Sequence, residues 1–401
     1  MDTPHNSHHG GIPDMGLSPW PTDARYPVNT SLRIHEHVPP GPFGHYGDSP
    51  RPPPDLSHRE GKGWWELGRF DLALADPPLE TSPPGPLERT LTVTGIKTLR
   101  TGGGAHVVTC FLDGNRATEY VAKIYDGLDY PLGTDSRDSH PDFMTRADQD
   151  YSIEAAAYRT MQPRIGGKGI VPAYYGSWTF PMRRTGPGHQ QDGGREQARW
   201  VRMILMERIR GECMLTIMAN AEARDGNSDH APLPPEPFRL RVLQHVIEVF
   251  KFARWYGMVR HMDFAPRNFM VRPDGSVVLI DFNDSFSEEL AAGGDSHPRL
   301  ADPTMLPPSP IQESLHSVSS MVKRISPWYR WIPEGWRGDE DKLHEWLVET
   351  FWDDARFAPV DETWLNSTYN KTWCSESILR LLESLGRKPA EGSELDQGAA
   401  S

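Results

Sequence analysis

The chain has 401 residues, enough for two lobes with extensions, and a formal net charge of −13 at pH 7. This acidic balance argues against nucleic acid or an anionic membrane as a partner. Three cysteines without paired spacing predict neither a disulfide framework nor a zinc site. No apolar run is long enough for a signal peptide or a membrane span, so we expect a soluble intracellular protein, cytoplasmic or nuclear.

Residues 1–88 hold much of the proline and many scattered histidines, without hydrophobic periodicity. This composition predicts a largely disordered leader, to which a protein partner can bind through the proline-rich sequence. The pair His8 and His9 has two interpretations, a metal ligand or part of a solvated linker.

Order is predicted from Arg89 onwards. Alternating, β-prone residues predict strands at 91–94 and 105–112, and between them lie Gly102, Gly103 and Gly104. Glycines at a hairpin tip let backbone N–H groups close over phosphates, although a triple glycine is also typical of a plain hairpin turn. The next strand, 119–125, carries Lys123 within an otherwise apolar run, either on a solvent-facing side or in a site.

Residues 127–146 read as an inserted loop, followed by a helix at 148–161 that carries Glu154. Two further strands, 173–180 and 200–209, flank a Gly/Gln/Arg-rich loop. Leucine and isoleucine at intervals of three and four predict a long helix at 238–256, which Gly257 would end.

The stretch after this helix carries the densest polar pattern. His261, Asp263 and Asn268 have the spacing H-x-D-x-x-x-x-N, and Asp281 follows the apolar run 277–280. Two strands flanking a Pro-Asp-Gly turn, with polar groups at their ends, are predicted here. The alternative is an ordinary polar loop between two core strands.

This layout resembles the catalytic loop and metal-binding aspartate of the protein-kinase-like phosphotransferases. The resemblance is strongest to kinase-like proteins common in filamentous fungi and more distant to aminoglycoside and choline phosphotransferases. It covers about residues 89–284. It implies an α+β, two-lobed fold: a small antiparallel β-sheet lobe with one helix at 89–209 and a larger, mainly helical lobe at 210–385. The polar Gly/Ala/Ser composition of residues 386–401 separately predicts a disordered tail.

The resemblance also implies ATP and Mg²⁺. Asp263 would orient or accept the proton of an attacking hydroxyl, while Asn268 and Asp281 would hold metal. Arg267 would either reach the γ-phosphate or form a structural salt bridge. His261 would act as a scaffold, with its ring near Phe282.

For the nucleotide, the resemblance implies that Lys123 holds the α- and β-phosphates and that Glu154 orients it, unless Glu154 forms only a surface ion pair. Adenine would bond to the backbone at Glu207 and Ile209. The remaining implied nucleotide contacts are Gly102, Gly103, Gly104, Val121 and Met206.

Several positions depart from the kinase pattern. Val107 stands where the third glycine of the loop is expected, Met262 precedes Asp263 in place of arginine, and Asn283 replaces the glycine of Asp-Phe-Gly. The peptide-binding motifs of protein kinases are missing after Asp284. The C-terminal part is instead rich in tryptophan, which forms either packed core or an aromatic ligand cage.

Three hypotheses follow. The chain is a phosphotransferase acting on a hydroxyl of a protein or a small molecule, a pseudokinase that binds nucleotide or a partner, or a scaffold working through its leader.

Overall fold

The computed structural model describes eleven stretches of the chain, and every structural statement below concerns them. They are residues 25–44, 46, 69–80, 84–97, 104–130, 143–183, 198–222, 233–290, 297–313, 320–360 and 376–386. The predicted tail beyond 386 lies outside them.

The protein is of mixed α and β structure and divides into two compact units. One, the barrel unit, comprises Met1–Pro40, Ser49–Ser152 and Tyr175–Met206. The other, the helical unit, comprises Gly41–Asp48, Ile153–Tyr174 and Glu207–Ser401. The long helix that carries Glu154 is divided between them at Ser152 and Ile153.

The barrel unit is built on six strands that close in the order β1-β2-β3-β4-β6-β5. The strands are β1 Ser31–Glu36, β2 Glu88–Ile96, β3 His106–Leu112, β4 Asn115–Tyr125, β5 Tyr174–Arg183 and β6 Ala198–Glu207. Alternate side chains point inward, as the two-residue period of a strand requires, and Leu91, Val93 and Val108 are fully buried in the shared core. All the strands predicted after Arg89 are confirmed, with ends moved by a few residues.

The first strand corrects a prediction. β1 lies inside the leader that was expected to be largely disordered, and it pairs with both β2 and β5 to close the barrel. Leu32 and Ile34 point into the core, and Tyr26 just before them is also buried. A short helix, α1 (Arg69–Ala75), lies in the same stretch. The prediction is therefore wrong for these segments, and residues 1–24, 45, 47–68 and 81–83 of the leader lie outside the described part of the chain.

Helix α2 (Phe143–Ile165) begins before the predicted residue 148, so part of the expected inserted loop is helical. Its buried face is continuous, with Ile153, Ala157 and Met161 all fully buried. The stripe predicted at intervals of four residues is thus confirmed.

The helical unit contains further helices and two small sheets. Its helices are α3 Met214–Glu222, α4 Glu236–Trp255, α5 Pro298–Ala301, α6 Pro310–Glu313, α7 Glu340–Phe351 and α8 Glu376–Ser384. Its strands are β7 Glu212–Cys213, β8 Val259–His261, β9 Phe269–Val271, β10 Val277–Leu279 and β11 Ser285–Ser287. One sheet has the order β10-β9-β7, and β11 pairs with β8.

Helix α4 ends at Trp255, within one residue of the predicted end, but the residue with a positive φ after it is not the expected glycine. Met258, with φ of 58°, is the residue in the left-handed region, whereas Gly257 does not have a positive φ. Gly257 is needed for packing, because an added Cβ would lie 2.4 Å from the carbonyl oxygen of Ala253 and 2.8 Å from Ile165. The turn that follows α4 leads directly into β8.

Two tryptophans of the C-terminal part belong to the core. Trp328 and Trp331 are 1% and 0% exposed. The Trp331 indole N–H donates to the carbonyl oxygen of Arg239, whose guanidinium donates back to the carbonyl oxygens of Trp331 and Ile332. For these tryptophans the packed-core interpretation is confirmed. Trp364 and Trp373 lie outside the described residues.

Within the described stretches, every helix is too short or too polar to cross a bilayer.

Candidate functional site

The loop between β8 and β9 holds Asp263 by one carboxylate oxygen. Its Oδ2 accepts hydrogen bonds from Arg267 Nη2 at 2.6 Å and from Asn268 Nδ2 at 2.8 Å. The Asp263 side chain is 26% exposed and that of Arg267 is 44% exposed. Of the two predicted roles for Arg267, the structure contains the salt bridge. The other carboxylate oxygen has no hydrogen bond to a described residue.

Asn268 lies at the end of this loop and is 1% exposed. Its amide nitrogen donates to both the backbone oxygen and Oδ2 of Asp263, which fixes the orientation of the carboxamide. Its oxygen, Oδ1, is buried and has no hydrogen-bond partner among the described residues. A buried carbonyl oxygen without a donor is costly unless a cation or a ligand donor meets it.

His261 joins the loop to the segment that carries Asp281. Its Nδ1 accepts the backbone N–H of Asp263 at 3.2 Å, so its Nε2 carries the proton and donates to the carbonyl oxygen of Ile280 at 3.1 Å. Burial lowers the pKa of His261 below its usual value, although the charges of Asp281 and Asp263 act the other way. The ring is neutral at pH 7 and lies 5.1 Å from the Phe282 ring, the predicted contact.

Asp281 lies two residues after the end of β10, in a backbone conformation that is uncommon for residues other than glycine. Its φ is 67°, in the left-handed region that Asp and Asn adopt more readily than most residues. Such a backbone persists when its surroundings hold it, and it is typical of functional sites. The neighbouring Ile280 N–H donates to the backbone oxygen of Asn268 at 2.9 Å, so the two predicted metal ligands are tied through the main chain. Asn283, at the position of the expected glycine, does not use a positive φ.

Glu154 is fully buried in the part of α2 that belongs to the helical unit. One turn later, Tyr158 stacks on Tyr174 and meets the Phe282 ring edge to face at 5.3 Å. Burial raises the pKa of Tyr158, and the charges of Glu154 and Asp281 raise it further. The Tyr158 hydroxyl therefore stays neutral.

The oxygen donors of this unit fit a hard cation. An amide oxygen from Asn268 and a carboxylate from Asp281 are ligands that Mg²⁺ accepts, and this ion usually takes its remaining ligands from water and phosphates. No group of three or more His, Cys, Asp or Glu side chains arranged to hold a metal occurs in the described part of the chain.

Of the nucleotide residues predicted in the barrel unit, Val121 and Lys123 lie on β4 and Gly104 lies just before β3. Lys123 is 8% exposed on β4, with its Nζ 5.7 Å from the Tyr125 ring centre. Val121, two residues earlier, is half-buried and pairs with Thr109. Gly104 has a φ of 116° and open space where a Cβ would lie, while Gly102 and Gly103 lie outside the described residues. The pairing of Lys123 with Glu154 stays a prediction.

The predicted hinge residues are divided between the units. Met206, 6% exposed, ends the barrel unit, and Glu207 begins the helical unit. The Glu207 N–H donates to the carbonyl oxygen of Ala173, and its Oε2 accepts the Ala173 N–H at 3.1 Å. The Ile209 N–H, in contrast, makes no hydrogen bond to any described residue.

Two contacts close in sequence to Asp263 or Asp281 were not predicted, one at Phe264 and one at Phe282. Phe264, next to Asp263, stacks on Trp328 at 4.9 Å, and the Trp328 indole N–H donates to the Phe264 carbonyl oxygen at 3.3 Å. The second contact is that of Tyr158 with Phe282. The spacing of four residues could have placed Tyr158 on the same helix face as Glu154, but no local pattern in the sequence connects Phe264 to Trp328.

No protein-family model matches the chain, and no curated protein matches it. Among solved structures, the chain is similar to the ROP18 kinase domain in complex with AMP-PNP and sucrose, at 18% identity over 57% of this chain and 63% of that one, with a TM-score of 0.32. It is also similar to the complex of Rv3197 with erythromycin from Mycobacterium tuberculosis, at 16% identity, coverage of 49% and 47%, and a TM-score of 0.29. The chain spans less than two thirds of either structure. Both likenesses fall below the level at which a shared fold can be asserted.

Proposed function

We propose that the chain is an ATP- and Mg²⁺-dependent phosphotransferase of the protein-kinase-like superfamily, which transfers the γ-phosphate to a hydroxyl of a protein or a small molecule. The observation that carries the proposal is the joint geometry of Asp263 and Asn268. The carboxylate is held through one oxygen only, and the amide that holds it keeps a buried oxygen without a donor.

Phosphoryl transfer asks a protein for positioning and charge neutralisation more than for covalent chemistry. The free oxygen of Asp263 accepts a hydrogen bond from the acceptor hydroxyl and takes its proton as the phosphorus–oxygen bond forms. Arg267, at 2.6 Å from the other oxygen, holds the carboxylate in one orientation. His261 holds the loop in place as a neutral hydrogen-bonded group and takes no proton itself.

Asn268 Oδ1 and the Asp281 carboxylate are the groups that would hold Mg²⁺, which would offset the charge of the phosphates. Lys123 is assigned to the α- and β-phosphates and Glu154 to its orientation. Gly102, Gly103, Gly104 and Val121 are assigned to the phosphate and adenosine side, and Met206, Glu207 and Ile209 to adenine. Support for these assignments comes from the burial of Lys123 and from the unused N–H of Ile209.

The test is turnover of radiolabelled ATP by the purified wild-type chain and by Asp263→Asn. This substitution keeps the shape and removes the base, so we expect turnover to fall by about 10²- to 10⁴-fold, while Mg-ATP binding survives. Equal turnover in the two proteins would exclude Asp263 from the reaction.

A second candidate is a pseudokinase that binds nucleotide without efficient transfer. The observation that favours it is that Asp263 Oδ2 is already engaged by both Arg267 and Asn268. Thermal stabilisation by Mg-ATP, together with no turnover in the wild type, would support it over the phosphotransferase.

A further inference from the structure

Tyr46, a leader residue outside the proposed site, contacts the strand that follows Asp281. Its ring stacks on Phe286 with 4.8 Å between the ring centres and 15° between the planes. Its hydroxyl oxygen accepts the backbone N–H of Ser287. All three residues belong to the helical unit.

This hydrogen bond satisfies a buried backbone donor of β11, the Ser287 N–H. Along the β8–β11 ladder, the Met262 N–H donates to the carbonyl oxygen of Asp284, and the Glu288 N–H donates to that of Met258. The backbone N–H and C=O groups of the even-numbered residues 284–288 therefore point toward β8. The Ser287 N–H therefore points away from the ladder. Ser287 is 0% exposed, so water cannot satisfy this donor. Tyr46 supplies the missing acceptor. Burial raises the pKa of Tyr46, so its hydroxyl stays neutral.

β11 in turn fixes the position of both loops of the site. Ser285 pairs with His261, and the Asp284 carbonyl oxygen accepts the N–H of Met262, the residue before Asp263. His261 then bonds to the backbone on both sides, at Asp263 and at Ile280. A shift of β11 would therefore move Asp263 and Asp281 together.

The other contacts of β11 come from elsewhere in the chain. The hydroxyl of Ser287 bonds to that of Thr160 on α2 at 3.0 Å, and Glu288 bonds to Arg254 and Arg260. Tyr46 adds a contact with β11 from the leader.

We propose that Tyr46 is a positioning residue, which holds β11 in register and through it the loops that carry Asp263 and Asp281. Its effect on catalysis rests on the phosphotransfer proposed above. Its effect on the two loops does not.

The test uses the full chain with Tyr46→Phe, which keeps the stacked ring and removes the acceptor. The matched control is Tyr256→Phe, which makes the same change at a ring whose hydroxyl makes no hydrogen bond to a described residue. We expect amide hydrogen exchange in 284–288 and 258–263 to speed up about tenfold, because a buried donor loses its partner. We also expect kcat to fall several-fold while KM for ATP changes less than twofold, with Tyr256→Phe like the wild type in every measurement.

Three results would overturn the inference. Wild-type exchange in both segments would mean that Tyr46 does not hold β11. Faster exchange in 284–288 alone would mean that the effect stops at the strand. Faster exchange in both segments with unchanged kcat would mean that the contact is structural only. If the wild type does not turn over ATP, the proposed function fails, and exchange in 258–263 still decides whether Tyr46 controls the loop.

Discussion

Each unit contains a carboxylate that is paired with arginine, and the two carboxylates differ in their exposure to solvent. In the barrel unit, Asp126 is 0% exposed and accepts hydrogen bonds from Arg199 at 2.6 Å and from the Tyr26 hydroxyl at 2.9 Å, with Arg25 alongside. In the helical unit, Asp263 is bonded to Arg267 at the same distance of 2.6 Å but remains 26% exposed.

The difference lies in what each charge is left to do. Burial alone would raise the pKa of Asp126, but the charges of Arg199 and Arg25 outweigh it and lower that pKa to about 2. This carboxylate is committed to holding Tyr26 and Arg25 of the leader against the barrel. Asp263 has one carboxylate oxygen without a hydrogen bond to a described residue. In the proposed function this oxygen takes the proton of the acceptor hydroxyl, whereas the role of Asp126 is structural.

The largest expected effect is on Asp126. Asp126→Asn leaves Arg199 without its counter-charge in a buried site, although Arg25 keeps its pairing with Asp129. We therefore expect a loss of about 3–5 kcal/mol in the free energy of unfolding. Urea unfolding of the full chain measures it. The control is Asp113→Asn, because Asp113 pairs with Arg89 at the surface and such pairs contribute at most about 1 kcal/mol. Similar losses in the two variants would contradict the structural role of Asp126.

A second prediction concerns β1, the leader strand of the barrel unit. Ile34→Ala removes a side chain that is fully buried in the barrel core, so we expect a loss of about 2–5 kcal/mol. Val28→Ala, at a residue that is 48% exposed, should stay within about 0.5 kcal/mol of the wild type. If Ile34→Ala unfolds at the same urea concentration as the wild type, β1 does not belong to the barrel in solution.

A smaller effect is expected from pH, and it concerns one buried histidine in each unit. Burial lowers the pKa of His344 to about 4, and burial with the charge of Arg202 lowers the pKa of His37 to about 3. Because the unfolded chain binds protons from about pH 6.5 downward and the folded chain does not, stability falls as pH drops below about 6.5. At pH 5.5 each histidine should cost about 1.4 kcal/mol.

The measurement is urea unfolding at pH 7.5 and pH 5.5, with His344→Gln and His37→Gln compared with the wild type. Each variant should lose its share of the pH dependence. An unchanged pH dependence in both would mean that these histidines are solvated.

Part of this comparison was predictable from the sequence. His261, Asp263 and Asn268 lie within eight residues, so their spacing alone predicts that they share one loop. The apolar run before Asp281 predicts the strand β10. β1 was missed because only Leu32 and Ile34 carry its alternation, inside a proline-rich stretch. The contacts of Trp328 with Phe264 and of Tyr46 with Ser287 join residues distant in the chain, and local periodicity does not reveal such pairs. Nor did the spacing reveal that Asp281, and not Asn283, takes the left-handed conformation.

The most direct test of the phosphotransfer site is nucleotide-dependent metal binding, with Mn²⁺ as a paramagnetic substitute for Mg²⁺ and a non-hydrolysable ATP analogue. Electron paramagnetic resonance measures the free Mn²⁺. We expect the wild type to bind Mn²⁺ when the analogue is present, and Asn268→Ala and Asp281→Ala each to weaken this binding by at least about tenfold, or about 1.4 kcal/mol. Asp274→Asn, in the exposed turn between β9 and β10, should bind like the wild type. Equal Mn²⁺ affinity in the wild type, Asn268→Ala and Asp281→Ala would contradict the proposed site.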